Sequence, residues 1–176
     1  MDMDITDGQI GLYFRRRAIG LRLLSHGSRP KSVQQWCALT RDQLLTLRRR
    51  WSLGGKEARR GQSLSSFKSF FSSARVAGQA ALFVSLCHMM GLIPAKRGKE
   101  AVKALPSLQN ALRLCEALEM LKEWEPQADL DFERAELLLT GVVDGQEVDL
   151  GRCAKCHADM LIDRLDVEQT SCTYCR

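Results

Sequence analysis

The 176-residue sequence predicts a mainly α fold: a multi-helix body with an N-terminal helix-turn-helix-like unit ahead of it and a small C-terminal four-cysteine module behind it. Three observations carry that expectation. Hydrophobic residues make up 45% of the chain but aromatics only 6%, so a core must rest on Leu, Ala, Val and Met, a composition that favours helices. Apolar residues recur at helical spacing up to Val142 and lose that period from Val143 onward. Four of the seven cysteines then fall in two close pairs near the C-terminus. Four Pro and 13 Gly are too few for a disordered or collagen-like chain. The length fits one ordinary domain or two small ones, able to bury roughly 70% of the surface the unfolded chain exposes.

The first helix is predicted from about Gly11 to Leu24, an amphipathic pattern in which Leu12, Phe14, Ile19, Leu21, Leu23 and Leu24 are interspersed with Arg15, Arg16, Arg17 and Arg22. The turn formers Ser25-His26-Gly27-Ser28-Arg29-Pro30 end it, and the proline suits the start of a second helix, Lys31 to Ala38. Thr40 is a good N-cap for a third, Arg41 to Trp51, with Leu44, Leu47 and Trp51 on one face and Gly54-Gly55 as its stop. Gly54 to Ser66 reads as a basic loop. Helical patterns resume from Ser66 to Met90, Lys96 to Ala104, Pro106 to Trp124 and Asp131 to Val142. In the third of these, Leu108, Leu112, Cys115, Leu118 and Leu121 form a core stripe. The expected divisions are a basic helical region over 1–63, a helical body over 64–142 and the cysteine module over 143–176.

The opening MDMDITDGQI carries three acids before any base and no apolar run, the wrong pattern for a secretory signal, so the expected compartment is the cytoplasm. Val76 to Ala95 is free of charge over twenty residues. Gly78, Gln79, Ser85, His88, Gly91 and Pro94 interrupt it, which predicts a buried core helix and no membrane contact.

In a reducing compartment the cysteines are not a disulfide framework. Cys37, Cys87 and Cys115 sit singly in apolar helical patterns, as small buried hydrophobes do. Cys153, Cys156, Cys172 and Cys175 form a C-x2-C-x15-C-x2-C pattern, inside the spacing of structural zinc sites. Two intervening residues let both thiolates of one turn reach a single ion, and a hairpin over about Asp159 to Val167 is expected to bring the second turn across. Four thiolates fill a tetrahedral site and leave no position for a reacting water, so the expected cofactor is one structural Zn2+ per chain. A redox-active dithiol and an iron-sulfur cluster are the alternatives. His157, directly after Cys156, reads as a surface residue or as one that orients or replaces a ligand.

Charge divides the chain. Residues 1–75 hold 15 Lys+Arg against 5 Asp+Glu, and residues 76–176 hold 11 against 16. A basic N-terminal part suggests a polyanionic partner. The second and third helices have the lengths of a helix-turn-helix, with Val33, Trp36, Leu39, Leu44 and Leu47 spaced to pack across the turn, although the turn lacks its usual Gly. In such a unit the second helix enters the major groove of double-stranded DNA. Arg41 and Gln43 near its start are the candidate base readers, with Thr46 presented beside them; Arg48, Arg49, Arg50 and the loop residues Lys56, Arg59 and Arg60 are the candidate phosphate contacts. No catalytic pattern accompanies them. Gly54-Gly55-Lys56 is not a Walker motif, because Glu57 follows it and Arg50 stands where the first Gly belongs. The expectation is therefore a non-enzyme.

These features resemble a known family, the C subunit of the flagellar master transcription regulator (the FlhC family). Leu24-Ser-His-Gly27-Ser-Arg29, followed by Val33, Leu39-Thr40-Arg41 and Leu44, is similar to the family's helix ending in Gly-x-Arg before a helix-turn-helix. Ser66-Phe67 through Ala80, Leu82 to Leu86 and Gly91 are similar in layout, and the four C-terminal cysteines match the family's zinc site position by position. The resemblance spans about residue 18 to Cys175, and departs in the middle helices and in the short tail after the last Cys pair. It implies a transcription activator that joins an FlhD-like partner subunit in a hetero-oligomer, binds promoter DNA and acts on flagellar genes through RNA polymerase. The alternative from the residues alone is a zinc-containing adaptor that binds protein and not DNA, favoured by the eight acids against two bases between Glu116 and Glu136.

Overall fold

The structure, a computed structural model, describes residues 3–51, 66–166 and 169–175, with 3–7 as helical backbone. Lys56, Arg59 and Arg60 lie outside these residues, as does Val167 at the end of the expected hairpin. The described residues form α1 (Met3–Ser25), α2 (Pro30–Cys37), α3 (Arg41–Arg50), a 3-10 turn (Phe67–Phe71), α4 (Ala74–Met89), α5 (Lys99–Ala104), α6 (Leu108–Trp124), α7 (Phe132–Asp144) and the strands β1 (Val148–Arg152) and β2 (Asp159–Asp163). The protein is mainly helical, as its composition predicts.

Local chemistry sets most of the boundaries. α1 ends where Gly27 turns left-handed at φ 84° and the Ser28 N–H returns to the Leu23 carbonyl, the bond that satisfies an orphan carbonyl at a helix end. Pro30 opens α2, where a missing N–H costs nothing. Side chains of Thr40, Ser73, Ser107 and Asp131 accept backbone N–H groups at the starts of α3, α4, α6 and α7. The Ser73 cap divides the stretch expected as one helix from Ser66 to Met90 into a 3-10 turn and α4.

A continuous core runs from Ile19 to Leu161. α4 packs on both α6 and α7 at its centre, where Phe83, Leu86, Leu114, Leu118, Phe132 and Leu138 are buried, and α1 and α2 pack on α6. Leu118 and Leu121 of the expected stripe are buried, while Leu108 and Leu112 sit at the core's margin. The uncharged Val76–Ala95 stretch supplies α4 to this core, and no helix among the described residues is long and apolar enough to cross a membrane. Gly141 of α7 is a close approach: a Cβ there would lie 2.4 Å from the Phe67 ring and 2.8 Å from Val148, which seats both β1 and the 3-10 turn on α7.

Two further expectations fail. Trp51 does not share the buried face of Leu44 and Leu47; it caps α3 and is 62% exposed. Four residues after Leu47, it falls where nothing packs beside it once the helix has ended. The hairpin does not lie between the cysteine pairs either. β1 precedes the first pair and runs antiparallel to β2, with Val148 opposite Asp163 and Arg152 opposite Asp159, so Cys153 to Cys156 form the hairpin's own loop.

Candidate metal centre and nucleic-acid interface

The metal centre follows from that hairpin. β1 delivers Cys153 to its end, and the chain turns through Cys156 and His157 into β2. Cys153 N–H bonds the Ala158 carbonyl at 2.9 Å, and His157 N–H bonds the Cys153 carbonyl at 2.9 Å. The second pair returns alongside: Ala154 N–H donates to Thr170 at 2.9 Å, and the Gln169 amide both accepts from Asp163 N–H and donates to the Leu161 carbonyl. Lys155 Nζ donates to the Cys175 carbonyl at 2.7 Å, tying one turn to the other.

All four cysteine sulfurs consequently lie within 4.8 Å of one another, with Cys156 and Cys172 at 3.7 Å and every cysteine unbridged. The cluster is suited to one metal ion. The backbone N–H of Cys156, then that of Cys172, aims at the Cys153 sulfur and brings its thiol down to about 6; the Cys172 contact is 3.2 Å. Hydrogen bonds with the Cys156 and Cys172 thiols push Cys175 up to about 12, because four neighbouring sulfurs cannot all ionise without a cation among them. His157 is exposed and outside this ligand set. It occupies the left-handed region at φ 58°, a position glycine fills most easily.

The module rests on the helical body through a small apolar contact and a few polar ones. Val148, Met160 and Leu161 are buried, and β2 lies along α4. Ser85 of α4 donates to Asp159 at 2.8 Å, and Asp149 takes both Arg97 and Arg164. Desolvation raises and these two guanidiniums lower the Asp149 pKa, with the guanidiniums prevailing. The Tyr174 ring lies over Gly78 of α4, close enough that a Cβ there would be 3.3 Å from it. Cys37, Cys87 and Cys115 are buried elsewhere in the core; burial pushes the thiols of Cys37 and Cys115 up to about 12 and raises Cys87 as well.

At the other end, α2 and α3 are joined through Ala38, Leu39 and Thr40. Ala38 takes the left-handed conformation, φ 51° and ψ 40°, that the turn demands and that the sequence gives to an alanine. Val33, Trp36, Leu39, Leu44 and Leu47 are all buried, as their spacing requires. Gly20 of α1 faces this turn, where a Cβ would stand 2.8 Å from Leu39.

The unit is also clamped to α7 by polar contacts. Trp36 Nε1 donates to Glu136 at 2.6 Å, Ser32 Oγ donates to both Glu136 and Glu133, and Arg29 donates its backbone N–H to Glu133 at 2.9 Å while pairing with it at 3.3 Å. Burial raises the Glu136 pKa, opposed by the Trp36 and Ser32 bonds. Nearby, Glu119 of α6 takes Arg22 at 2.6 Å and His26 at 3.1 Å. The spacing of apolar residues carries no signal for these pairs, since the partners are about a hundred residues apart. Their one local trace is a tryptophan and a serine on a short helix that has no acid of its own.

α3 presents the expected residues unevenly. Arg41, Arg49, Arg50 and Thr46 are exposed and Arg48 is half-buried; none of the four arginines has an acidic partner among the described residues. Thr46 Oγ1 donates to the Asp42 carbonyl of its own helix. Gln43 spends its carbonyl oxygen on the Thr40 N–H, completing a capping box, and reaches a base only by leaving that cap. Compared with models of known protein families and with curated proteins, the chain matches none.

Proposed function

We propose that the protein is a DNA-binding transcription regulator whose α2–α3 unit docks on duplex DNA and whose cysteine module holds a structural zinc ion. The observation that carries the DNA reading is the contrast among arginines. Arg22, Arg29, Arg97, Arg134 and Arg164 are each paired with a carboxylate, whereas α3 gathers four arginines on one short helix, Arg41, Arg48, Arg49 and Arg50, that have none among the described residues. A helix that follows a helix-turn-helix turn and carries several uncompensated guanidiniums is suited to phosphate. Arg41 reads a base edge, Arg49 and Arg50 neutralise phosphates, and Lys56, Arg59 and Arg60 extend the same charge in sequence.

The acidic run that would favour an adaptor is partly consumed inside the molecule, because Glu119, Glu133 and Glu136 serve the clamp to α1 and α2. For the metal, a tetrahedral ion with thiolates at about 2.3 Å sets sulfurs about 3.8 Å apart, the spacing of Cys156 and Cys172, and zinc is the usual occupant of four thiolates. The family resemblance narrows the reading to an FlhC-like activator of flagellar genes working with an FlhD-like subunit and RNA polymerase.

The test is selection from random duplex DNA at two salt concentrations, with metal content assayed on the same sample and with the partner subunit present or absent. Enrichment of one sequence, with affinity falling by about one log-log unit per phosphate contact, is the expected result. Arg49→Ala with Arg50→Ala is expected to weaken all sequences alike and flatten that slope, while Arg41→Ala relaxes preference at one position. Zinc present without any enrichment replaces this reading with the adaptor.

A further inference from the structure

α1 carries three consecutive arginines that leave the helix in different directions. Arg15 bonds Gln109 of α6, and Arg17 bonds the Tyr13 hydroxyl and lies over its ring at 5.2 Å. Arg16 stands about one turn before Gly20, on the side of α1 that meets the α2–α3 turn. Burial raises the Cys37 thiol at the end of α2, and the nearby Arg16 guanidinium opposes that rise. Arg16 there lines a cavity of about 300 Å3 between α1 and the start of α3, together with Gln9, Leu12, Tyr13, Leu39 and Gln43. None of these residues is acidic, and Arg16 is half-buried with no acidic partner among the described residues. Gln43 supplies the cavity's second donor. Its carbonyl oxygen accepts the Thr40 N–H at 3.0 Å, so the capping box leaves the NH2 group over, without an acceptor among the described residues. A guanidinium and an amide NH2 sharing one cavity, neither of them spent on a carboxylate, suit the oxygens of an anion.

Helix geometry says which anion. Arg41 and Arg48 lie about two turns apart on one flank of α3, and Gln43 and Arg50, equally spaced, lie on the other. A helix seated in the major groove has a sugar-phosphate chain along each flank. On the Gln43 flank α3 carries a cation only at its far end, and Arg16 of α1 places one at the near end. We propose that Arg16 and the Gln43 amide bind one backbone phosphate of the strand on that flank. The contact rests on the reading of α3 as the DNA-docking helix, and it makes α1 part of the same surface. Gln43 then fixes the register of the protein on the duplex and reads no base, and it does so without leaving its cap.

The salt dependence of duplex binding by the full-length, metal-loaded chain tests it, on the enriched duplex and on random duplex, with the partner subunit present or absent. Arg16→Gln is expected to weaken binding about tenfold on both and to reduce the log-log slope by about one. Gln43→Glu keeps an acceptor for the Thr40 N–H, and so keeps the capping box, but sets a carboxylate against the phosphate. It is expected to weaken binding about tenfold with sequence preference unchanged. Arg15→Gln, at a side chain turned toward α6, leaves the slope as it is. Replacing the phosphates of the enriched duplex one at a time by uncharged methylphosphonates identifies the partner: at one position the wild type loses about tenfold and Arg16→Gln loses nothing further. An unchanged slope in Arg16→Gln, an equal fall in Arg15→Gln, or the lack of any phosphate whose replacement is silent in Arg16→Gln overturns this contact and leaves α3 as the docking helix. A Gln43→Glu chain that switches preference at one base pair does the same. A wild-type chain that binds no duplex under any of these conditions overturns the DNA reading, and this contact with it.

Discussion

The two ends of the chain attach to the same helical body by different means. The α2–α3 unit buries Val33, Trp36, Leu39, Leu44 and Leu47 and adds the Trp36–Glu136 and Arg29–Glu133 clamp. The C-terminal module buries little beyond Val148, Met160 and Leu161, and between its two cysteine turns it relies on four sulfurs and a few backbone bonds. The difference is one of available area. Two helices laid on a third bury a whole face, whereas a short hairpin and a terminal turn cannot bury enough apolar surface to offset their ordering entropy and need a cross-link. The N-terminal unit should thus respond to changes in packing and hydrogen bonding, and the C-terminal module to removal of the ion.

The largest effect expected from that contrast is on metal removal. Chelation should abolish hydrogen-exchange protection over β1, β2 and the second cysteine turn while the helices of the body keep theirs. Cys172→Ser should lower metal affinity by more than about 100-fold, beyond what loss of an outer contact costs. Melting of the whole chain on chelation would break the contrast, because the module would then be part of the body's own stability.

Next in size is the clamp. Glu136→Leu leaves the Trp36 indole N–H buried without an acceptor and should cost about 2–3 kcal/mol by urea unfolding of the metal-loaded protein. Glu136→Gln keeps an acceptor oxygen and should cost less than about 1 kcal/mol, which separates the hydrogen bond from the charge. Ala38→Gly works in the opposite direction: relief of the left-handed strain, less the extra entropy of glycine in the unfolded chain, should raise stability by about 0.5–1 kcal/mol.

The smallest effect is the pH response of His26. Burial outweighs the Glu119 hydrogen bond and lowers its pKa below the ordinary 6.5. The unfolded chain therefore takes up the proton first, so the contribution of the neutral ring is complete above that value and is lost as pH falls through the depressed folded pKa. Wild-type protein should lose more stability than His26→Gln between about pH 7.5 and pH 5.5, a range that brackets the ordinary histidine value. Equal losses in the two proteins would mean that burial and the Glu119 bond cancel, and a smaller loss in the wild type that the bond governs the ring.

What the sequence determined by itself was local. The cluster of four cysteines, the Thr40 cap, Pro30 at the start of α2 and the buried Leu118 and Leu121 all follow from spacing or from a single residue's backbone chemistry, which needs no knowledge of distant partners. Val33, Trp36, Leu39, Leu44 and Leu47 were legible as a packing set for the same reason. Only the tertiary structure decided the rest. Trp51 fits the periodicity of α3 yet lies past its end, and the hairpin pairs β2 with a strand upstream of the first cysteine, because ladder partners are chosen by what packs on α4 and α7. Gln43 looked free to read a base until the helix start claimed it. The division of the acids into those spent on Arg22, His26, Arg29 and Trp36 and those left to solvent arises from pairings across about a hundred residues, where chain spacing carries no information and proximity in space carries all of it.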